Sequence, residues 1–183
     1  MRVLLHSCCA PCAVTVVPAL AEHEVTAFFY NPNIQPCVEF GRRLAAMDSY
    51  AAGAGLEYVR REHYGLEAFL QALAGQWRRP DRCRACYRLR LGAAARTAAE
   101  MRREAFTTTL LASPYQDREA LGRIGGEEGA RHGVEFLFPD LRGRFREGQR
   151  QAQEMGLYRQ KYCGCIFSEY EAEVARRERQ RGE

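Results

Sequence analysis

Arg2-Val3-Leu4-Leu5-His6-Ser7-Cys8-Cys9-Ala10-Pro11-Cys12 decides how the chain is read. The short apolar run from Arg2 to His6 has the composition of a strand, a cysteine-rich loop follows it, and a helical pattern continues through Ala21. The alternation then repeats. Val25 to Tyr30 predicts a second strand, ended by Asn31-Pro32-Asn33. Phe40, Leu44, Met47 and Ala51 share one helical face, and Gly53 to Gly55 terminates that helix. Leu56 to Val59 predicts a third strand and Leu66 to Leu73 a short helix. Leu91, Ala94, Ala98 and Met101 line a long helix beginning near Arg82. Phe106 to Leu111, closed by Ser113-Pro114, predicts a fourth strand; a helix over Arg118 to His132 and a strand over Val134 to Phe138 follow. From Glu169 to Glu183 acidic and basic residues alternate, as on a solvated helix. The pattern specifies one α/β domain over residues 1–183. Its sheet is parallel and doubly wound, with about five strands, and its ligand site lies beyond their carboxyl ends.

Composition bounds the function. The 183 residues, 20.8 kDa, suffice for one well-buried core but not for two enzyme domains and a linker. With 46% hydrophobic and 27% charged residues, the chain is neither a disordered acidic polymer nor a membrane protein. Its longest apolar stretches, such as Val14 to Ala21, fall well short of the roughly 18 residues of a membrane span. The first residues lack the apolar core and cleavage site of a secretory signal, so a cytoplasmic, reducing compartment is expected.

Eight cysteines are then the outstanding feature. Cys8, Cys9 and Cys12 follow the first strand, Cys83 and Cys86 open the long helix, Cys163-Gly164-Cys165 lies near the C-terminus, and Cys37 stands alone. Reduced surroundings favour metal or redox chemistry over structural bridges. Two partial thiol sites far apart in sequence suit an iron–sulfur cluster or a thiolate zinc site, and helix N-termini beside them are expected to lower thiol pKa. Four thiolates close a structural zinc, so the surplus of three clustered cysteines favours a redox task. Cys163 and Cys165 have two readings: ligands to a second metal, perhaps with Cys12, or a strained, easily reduced disulfide. Cys37 reads as a small buried hydrophobe.

Lys161 is the only lysine among 27 basic residues. The arginine bias suits nucleic-acid contact, but genomic base composition or a hot habitat explains it more commonly, and a net charge of +4 only permits such a partner.

Taken in order, Cys8-Cys9-Ala10-Pro11-Cys12, Tyr30-Asn31-Pro32-Asn33-Ile34, Cys83-x-x-Cys86-Tyr87, Thr107 to Gln116 and Tyr162-Cys163-Gly164-Cys165 resemble the cobalamin-independent epoxyqueuosine reductases of bacteria, from Val3 to about Ser168. The resemblance implies an adenine-nucleotide α-hydrolase-like, Rossmann-like fold. It implies an oxidoreductase that deoxygenates epoxyqueuosine to queuosine at the tRNA wobble position, the last step of queuosine biosynthesis. It implies a 4Fe–4S cluster on Cys8, Cys9, Cys83 and Cys86 and no cobalamin. Cys12 would be an auxiliary ligand to an additional mononuclear iron, with Cys163 and Cys165 a redox-active pair or second-iron ligands. The partners implied are a tRNA with a queuosine-type anticodon and a separate electron donor, with no membrane.

For the tRNA, unpaired bases call for aromatics and phosphates for arginines. Tyr30, Asn31, Asn33, Tyr87 and Arg88 are therefore the candidate substrate-binding residues. Arg90, Trp77-Arg78-Arg79 and Arg142-Gly143-Arg144-Phe145-Arg146 are further ones, against a commoner reading of each arginine as a solvated charge. Asp117 and Asp140 follow strands and could shuttle protons, although turn aspartates are commoner there. His6 abuts the thiol loop and reads as a satisfied core histidine. Two rivals share these features. An ATP-dependent tRNA thiolation enzyme with an iron–sulfur cluster needs a Ser-Gly-Gly loop where this chain has cysteines, and a zinc-stabilised nucleic-acid binding module would be colourless.

Overall fold

Arg2–His6 forms β1 and is buried on both faces, which is why its apolar run is continuous rather than alternating. Leu4 packs with Phe106, Leu91 and Ile124 on one side; Leu5 packs with Val16, Leu20 and Leu141 on the other. In this computed structural model, which describes residues 1–181, four more strands extend the sheet: β2 (Glu24–Phe29), β3 (Glu57–Arg60), β4 (Ala105–Thr108) and β5 (Glu135–Phe136). The order is β3-β2-β1-β4-β5 and every neighbouring pair is parallel. The helices are α1 (Ala10–Val16), α2 (Cys37–Gly53), α3 (Leu66–Leu73), α4 (Asp81–Glu100), α5 (Arg118–His132), α6 (Phe145–Glu154) and α7 (Ile166–Arg181). They cover both faces. The strand order reverses between β1 and β4, so the loops leaving those two strands part and frame a crevice. None of the described helices is long and apolar enough to cross a membrane.

The doubly wound sheet of five strands expected from the sequence is present, and β1, α3 and α5 have the expected limits. Other limits differ. The first helix ends at Val16 and tightens into a 3₁₀ turn over Val17–Leu20, because Pro18 cannot donate to the helical ladder. The fourth strand stops at Thr108 rather than Leu111: the Thr108 hydroxyl accepts from the Leu110 amide and turns the chain into a 3₁₀ segment over Thr109–Ala112. The fifth strand is only Glu135–Phe136. Helix α6 was not anticipated; Gly148 lies so close to Thr15 that any side chain there would collide with it. The charged tail is helical from Ile166, anchored where Phe167 stacks on Trp77 and Glu171 pairs with Arg82; its last two residues, Gly182 and Glu183, lie outside the described residues.

Phe106 sits at the centre of this arrangement, fully buried on β4 with its ring 5.0 Å from that of Phe136. Replacing it by alanine is expected to cost about 3–5 kcal/mol of stability, read from the midpoint of a urea unfolding curve.

Candidate active site

Three thiols meet at the crevice. Cys8 and Cys9 lie in the loop leaving β1, Cys9 is the N-cap of α1, and Cys12 sits in its first turn; their sulfurs all lie within 4.8 Å of one another, and all are buried. The loop leaving β4 closes on them from the far side. Thr109 Oγ1 accepts from the Cys8 amide at 3.0 Å and donates to Cys8 Sγ at 3.2 Å. From the C-terminal segment, Gln160 Nε2 donates to Cys9 Sγ at 2.9 Å.

Arg90, from α4, supplies the charge. Its side chain is 1% exposed, and its Nη2 donates to Asn31 Oδ1 at 2.9 Å, its Nε faces His6 Nε2 at 3.4 Å, and its Nη1 lies 3.9 Å from Cys86 Sγ. Among the described residues no carboxylate pairs with it. Burial first, and then this guanidinium, hold the His6 pKa down to about 3. Neutral His6 has Thr108 Oγ1 2.8 Å from Nδ1, and both the Tyr30 carbonyl, at 3.2 Å, and Arg90 Nε, at 3.4 Å, beside Nε2: a proton on Nε2 goes to the carbonyl, and without it Nε2 accepts from Arg90.

The helix ends were expected to lower thiol pKa, and burial outweighs them almost everywhere. Desolvation raises Cys9, Cys83 and Cys163 and pushes Cys86 up to about 12. Cys12 is raised because it shares protons with Cys8 and Cys9. Only Cys8 moves well down, since the Cys12 and Cys9 thiols donate to it, with Arg90 and Thr109 adding to the effect. The neighbouring thiols and the guanidinium thus favour the charged form at Cys8 over the other two sulfurs.

The Cys163-Gly164-Cys165 loop is clamped separately. Arg43, buried on α2, donates to the carbonyls of Cys163 and Tyr162 at 2.9 and 3.0 Å while its Nε pairs with Glu39 at 2.7 Å. Gly164 has φ +135°, and the Gln35 amide donates to its carbonyl at 2.8 Å. Of the two readings of Cys163 and Cys165, the disulfide is not formed; all eight cysteines are free. The glycine sends the two side chains to different places: Cys165 packs with Phe69 and Leu73, whereas Cys163 faces a cavity with Gln116 Nε2 3.7 Å from its sulfur. That cavity, about 560 Å³, also has Cys8, Cys12, Gln160, Lys161 and Tyr115 in its wall. A larger groove of about 690 Å³ between α3, α4 and α5 holds no cysteine, so the chemistry belongs to the smaller space.

Comparison with known proteins agrees with this geometry. The model of the family described as "Epoxyqueuosine reductase QueH" matches residues 3–171. The chain belongs to the QueH family. An epoxyqueuosine reductase QueH of Thermotoga maritima is 37% identical, with 96% of each chain covered, and one of Dehalococcoides mccartyi is 34% identical, with 93% of each covered. Among solved structures, the U34-tRNA thiolase NcsA from Methanococcus maripaludis, with its 4Fe–4S cluster, superposes with a TM-score of 0.59 at 14% identity, covering 95% of this chain and 65% of that one. That likeness shows the fold, the adenine-nucleotide α-hydrolase-like one expected.

Within this QueH chain the remaining candidates fall in three places. Cys83 and Cys86 do not complete the group of three sulfurs at 4.8 Å; they reach the site from α4, Cys86 through Arg90. Asn31 spends both ends of its amide on the protein, donating to the Ser7 carbonyl and accepting from Arg90. Asn33 is buried with its Oδ1 unpartnered among the described residues, and Tyr87 is buried with its hydroxyl donating to Gln116 Oε1 at 2.9 Å. Tyr30 and Arg88 line the larger groove, where Arg88 pairs with Glu127 and Glu128. None of these five is on the wall of the thiol cavity. Asp117 caps α5 and Asp140 pairs with Arg142; Cys37, expected to be buried, is exposed as the first residue of α2. Thr109, Gln160, Gln116 and Arg43 were missed, and Arg90 was read only as a phosphate contact. Thr109, Gln160 and Gln116 meet their partners across long stretches of chain, with no local pattern to signal them; Arg43 and Arg90 do have partners at i−4, Glu39 and Cys86, but their contacts to Cys163 and His6 are equally distant in sequence.

The clamp makes a measurable claim. Arg43→Met leaves Glu39 buried and uncompensated and is expected to cost about 3–5 kcal/mol in chemical denaturation. Adding Glu39→Gln should restore part of that loss, giving a coupling of roughly 0.5–3 kcal/mol in the double-mutant cycle.

Proposed function

We propose that the chain is an iron–sulfur epoxyqueuosine reductase acting on tRNA: two electrons and two protons remove the epoxide oxygen at the wobble nucleoside as water and leave the alkene of queuosine. The observation that carries this is the meeting of three buried thiols beside a buried guanidinium that has no carboxylate partner among the described residues; two of those thiols, Cys8 and Cys12, stand on the wall of a cavity of nucleoside-holding size. The membership of the chain in the QueH family supports the same reading.

The donor set fits a thiolate-held metal group. The sulfurs are dry and receive hydrogen bonds from Thr109 and Gln160, which is the environment that tunes an iron–sulfur site. Cys8 and Cys9, with Cys83 and Cys86, would hold a 4Fe–4S cluster, and Cys12 an additional iron. When bound, such a cluster supplies electrons one at a time. The chain does the rest. Lys161, the only lysine, stands on the wall to stabilise the oxygen as it gains negative charge. Cys163 faces the same space and is the member of the Cys-Gly-Cys pair that can reach substrate. A separate donor supplies the electrons, and a site of this kind works in the reducing cytoplasm.

Protein purified without oxygen is expected to be brown, with broad absorption near about 400 nm, and to contain iron. With a strong chemical reductant it should convert tRNA bearing epoxyqueuosine to the queuosine form, read by nucleoside analysis. Colourless, zinc-loaded protein without conversion would overturn the reading in favour of a zinc-stabilised module.

In the same assay Cys12→Ser should lose about one iron per chain and keep the visible band; loss of the whole band places Cys12 in the cluster set. Cys163→Ser should abolish conversion with iron retained. Iron lost in proportion to activity would instead make Cys163 a ligand.

A further inference from the structure

Tyr115 is 77% exposed, yet it forms part of the wall of the cavity that holds Cys8, Cys12 and Cys163. It therefore stands where that cavity meets solvent. Its ring is set perpendicular to that of Phe145, with centroids 6.1 Å apart and an interplanar angle of 86°. Phe145 opens α6, is half-buried, and lines the same cavity. An edge-to-face contact of this kind fixes an aromatic ring while leaving much of its surface uncovered.

The charges beside Phe145 complete the pattern. Arg144 and Arg146 flank it and are exposed, and among the described residues neither meets a carboxylate within ion-pair distance. Their neighbours differ: Arg142 pairs with Asp140 at 2.5 Å and Arg150 with Glu147 at 2.7 Å. A held aromatic ring on a segment that also carries exposed guanidiniums without acid partners has the chemistry that recognises unpaired nucleic acid, the ring taking a base and the guanidiniums its phosphates.

We propose that Tyr115, seated on Phe145, is the stacking platform for an unpaired base next to the nucleotide in the cavity, and that Arg144 and Arg146 hold the phosphates beside that base. The assignment rests on the reading of the substrate as tRNA. It explains why an aromatic ring stands out at the cavity rim, and it gives the wobble nucleotide a fixed register: one base stacked outside, the next directed at the thiols. Stacking tolerates any base, so this contact sets position, and the discrimination of the substrate lies deeper in the cavity.

The test uses the full-length iron-loaded protein, an anticodon stem-loop RNA carrying epoxyqueuosine, and the same RNA at several salt concentrations. Tyr115→Ala is expected to weaken binding about tenfold or more and to raise KM by a similar factor, with the visible absorption and iron content unchanged, while Tyr115→Phe binds like the unaltered protein. Arg144→Gln with Arg146→Gln should reduce the slope of log affinity against log salt by about 1.4, the value for two single-strand phosphates released. Unaltered RNA affinity in Tyr115→Ala overturns the proposal, as does a loss of iron that shows the tyrosine to be structural. Unaltered RNA affinity with activity lost only when a protein donor replaces the chemical reductant also overturns it, and makes the patch a protein docking surface. If the unaltered protein neither binds nor converts the stem-loop, it is the reading of the substrate as tRNA that falls.

Discussion

A buried guanidinium with no carboxylate partner among the described residues is the constraint around which the carboxyl end of the sheet is organised. Taking a charge out of water costs several kcal/mol unless its surroundings answer it. Arg90 is answered by an amide oxygen from Asn31, a ring nitrogen of His6 and a cysteine sulfur, none of which carries a full negative charge in a neutral, protonated state. The site therefore has a standing preference for anions at its sulfurs. His6 stays neutral first because it is buried and only then because of the same field, and a neutral ring does not repel Arg90. The order reversal between β1 and β4 is what makes room for this: the loops that part there supply Cys8 on one side and Thr109 on the other.

The second buried arginine shows the contrast. Arg43 has Glu39 at 2.7 Å, so its charge is cancelled locally and its remaining donors hold the backbone of Tyr162 and Cys163. Tyr158 donates to the other oxygen of Glu39, which ties the preceding segment to the same pair. One arginine thus fixes a loop and the other biases a site, and the presence or absence of an acid decides which. The clamp matters because Cys163 has no secondary structure of its own: Gly164 allows the turn, and only the contacts to α2 make it a single conformation.

Much of this was legible in the sequence, and the illegible part has a common cause. Periodicity located β1, α3 and α5, because their burial follows from nearest neighbours along the chain. The spacing of Cys8, Cys9 and Cys12 announced a thiol site, since all three belong to one turn. Helix α6 escaped because its buried face is made by Gly148 and Ala152, which carry little hydrophobic signal. The residues that finish the site escaped for a different reason. Gln160 reaches Cys9 across 151 positions, Arg43 reaches Cys163 across 120 and Arg90 reaches His6 across 84. No local pattern encodes a contact of that range; it exists only once the topology has been built. The helix-dipole expectation for the thiols failed on similar grounds, because the depth of burial is a tertiary property.

The arginine excess shows how little a net charge says by itself. The chain's formal +4 is spread over guanidiniums with different fates. Arg43, Arg82 and Arg90 are buried and serve the interior. Arg88, Arg103, Arg142, Arg150 and Arg176 are held by carboxylates, and an incoming phosphate would have to displace an acid that is already in place. A surface ion pair is worth little in stability, roughly 0–1 kcal/mol, but it occupies the directional donors that phosphate recognition needs. What distinguishes a nucleic-acid surface is therefore not where arginines are densest but where they lack acids and stand beside an aromatic ring. By that criterion the larger groove between α3, α4 and α5, rich in arginine yet interlaced with Glu128 and Asp81, is the weaker site, and the segment Arg144-Phe145-Arg146, whose Phe145 seats Tyr115, is the stronger one.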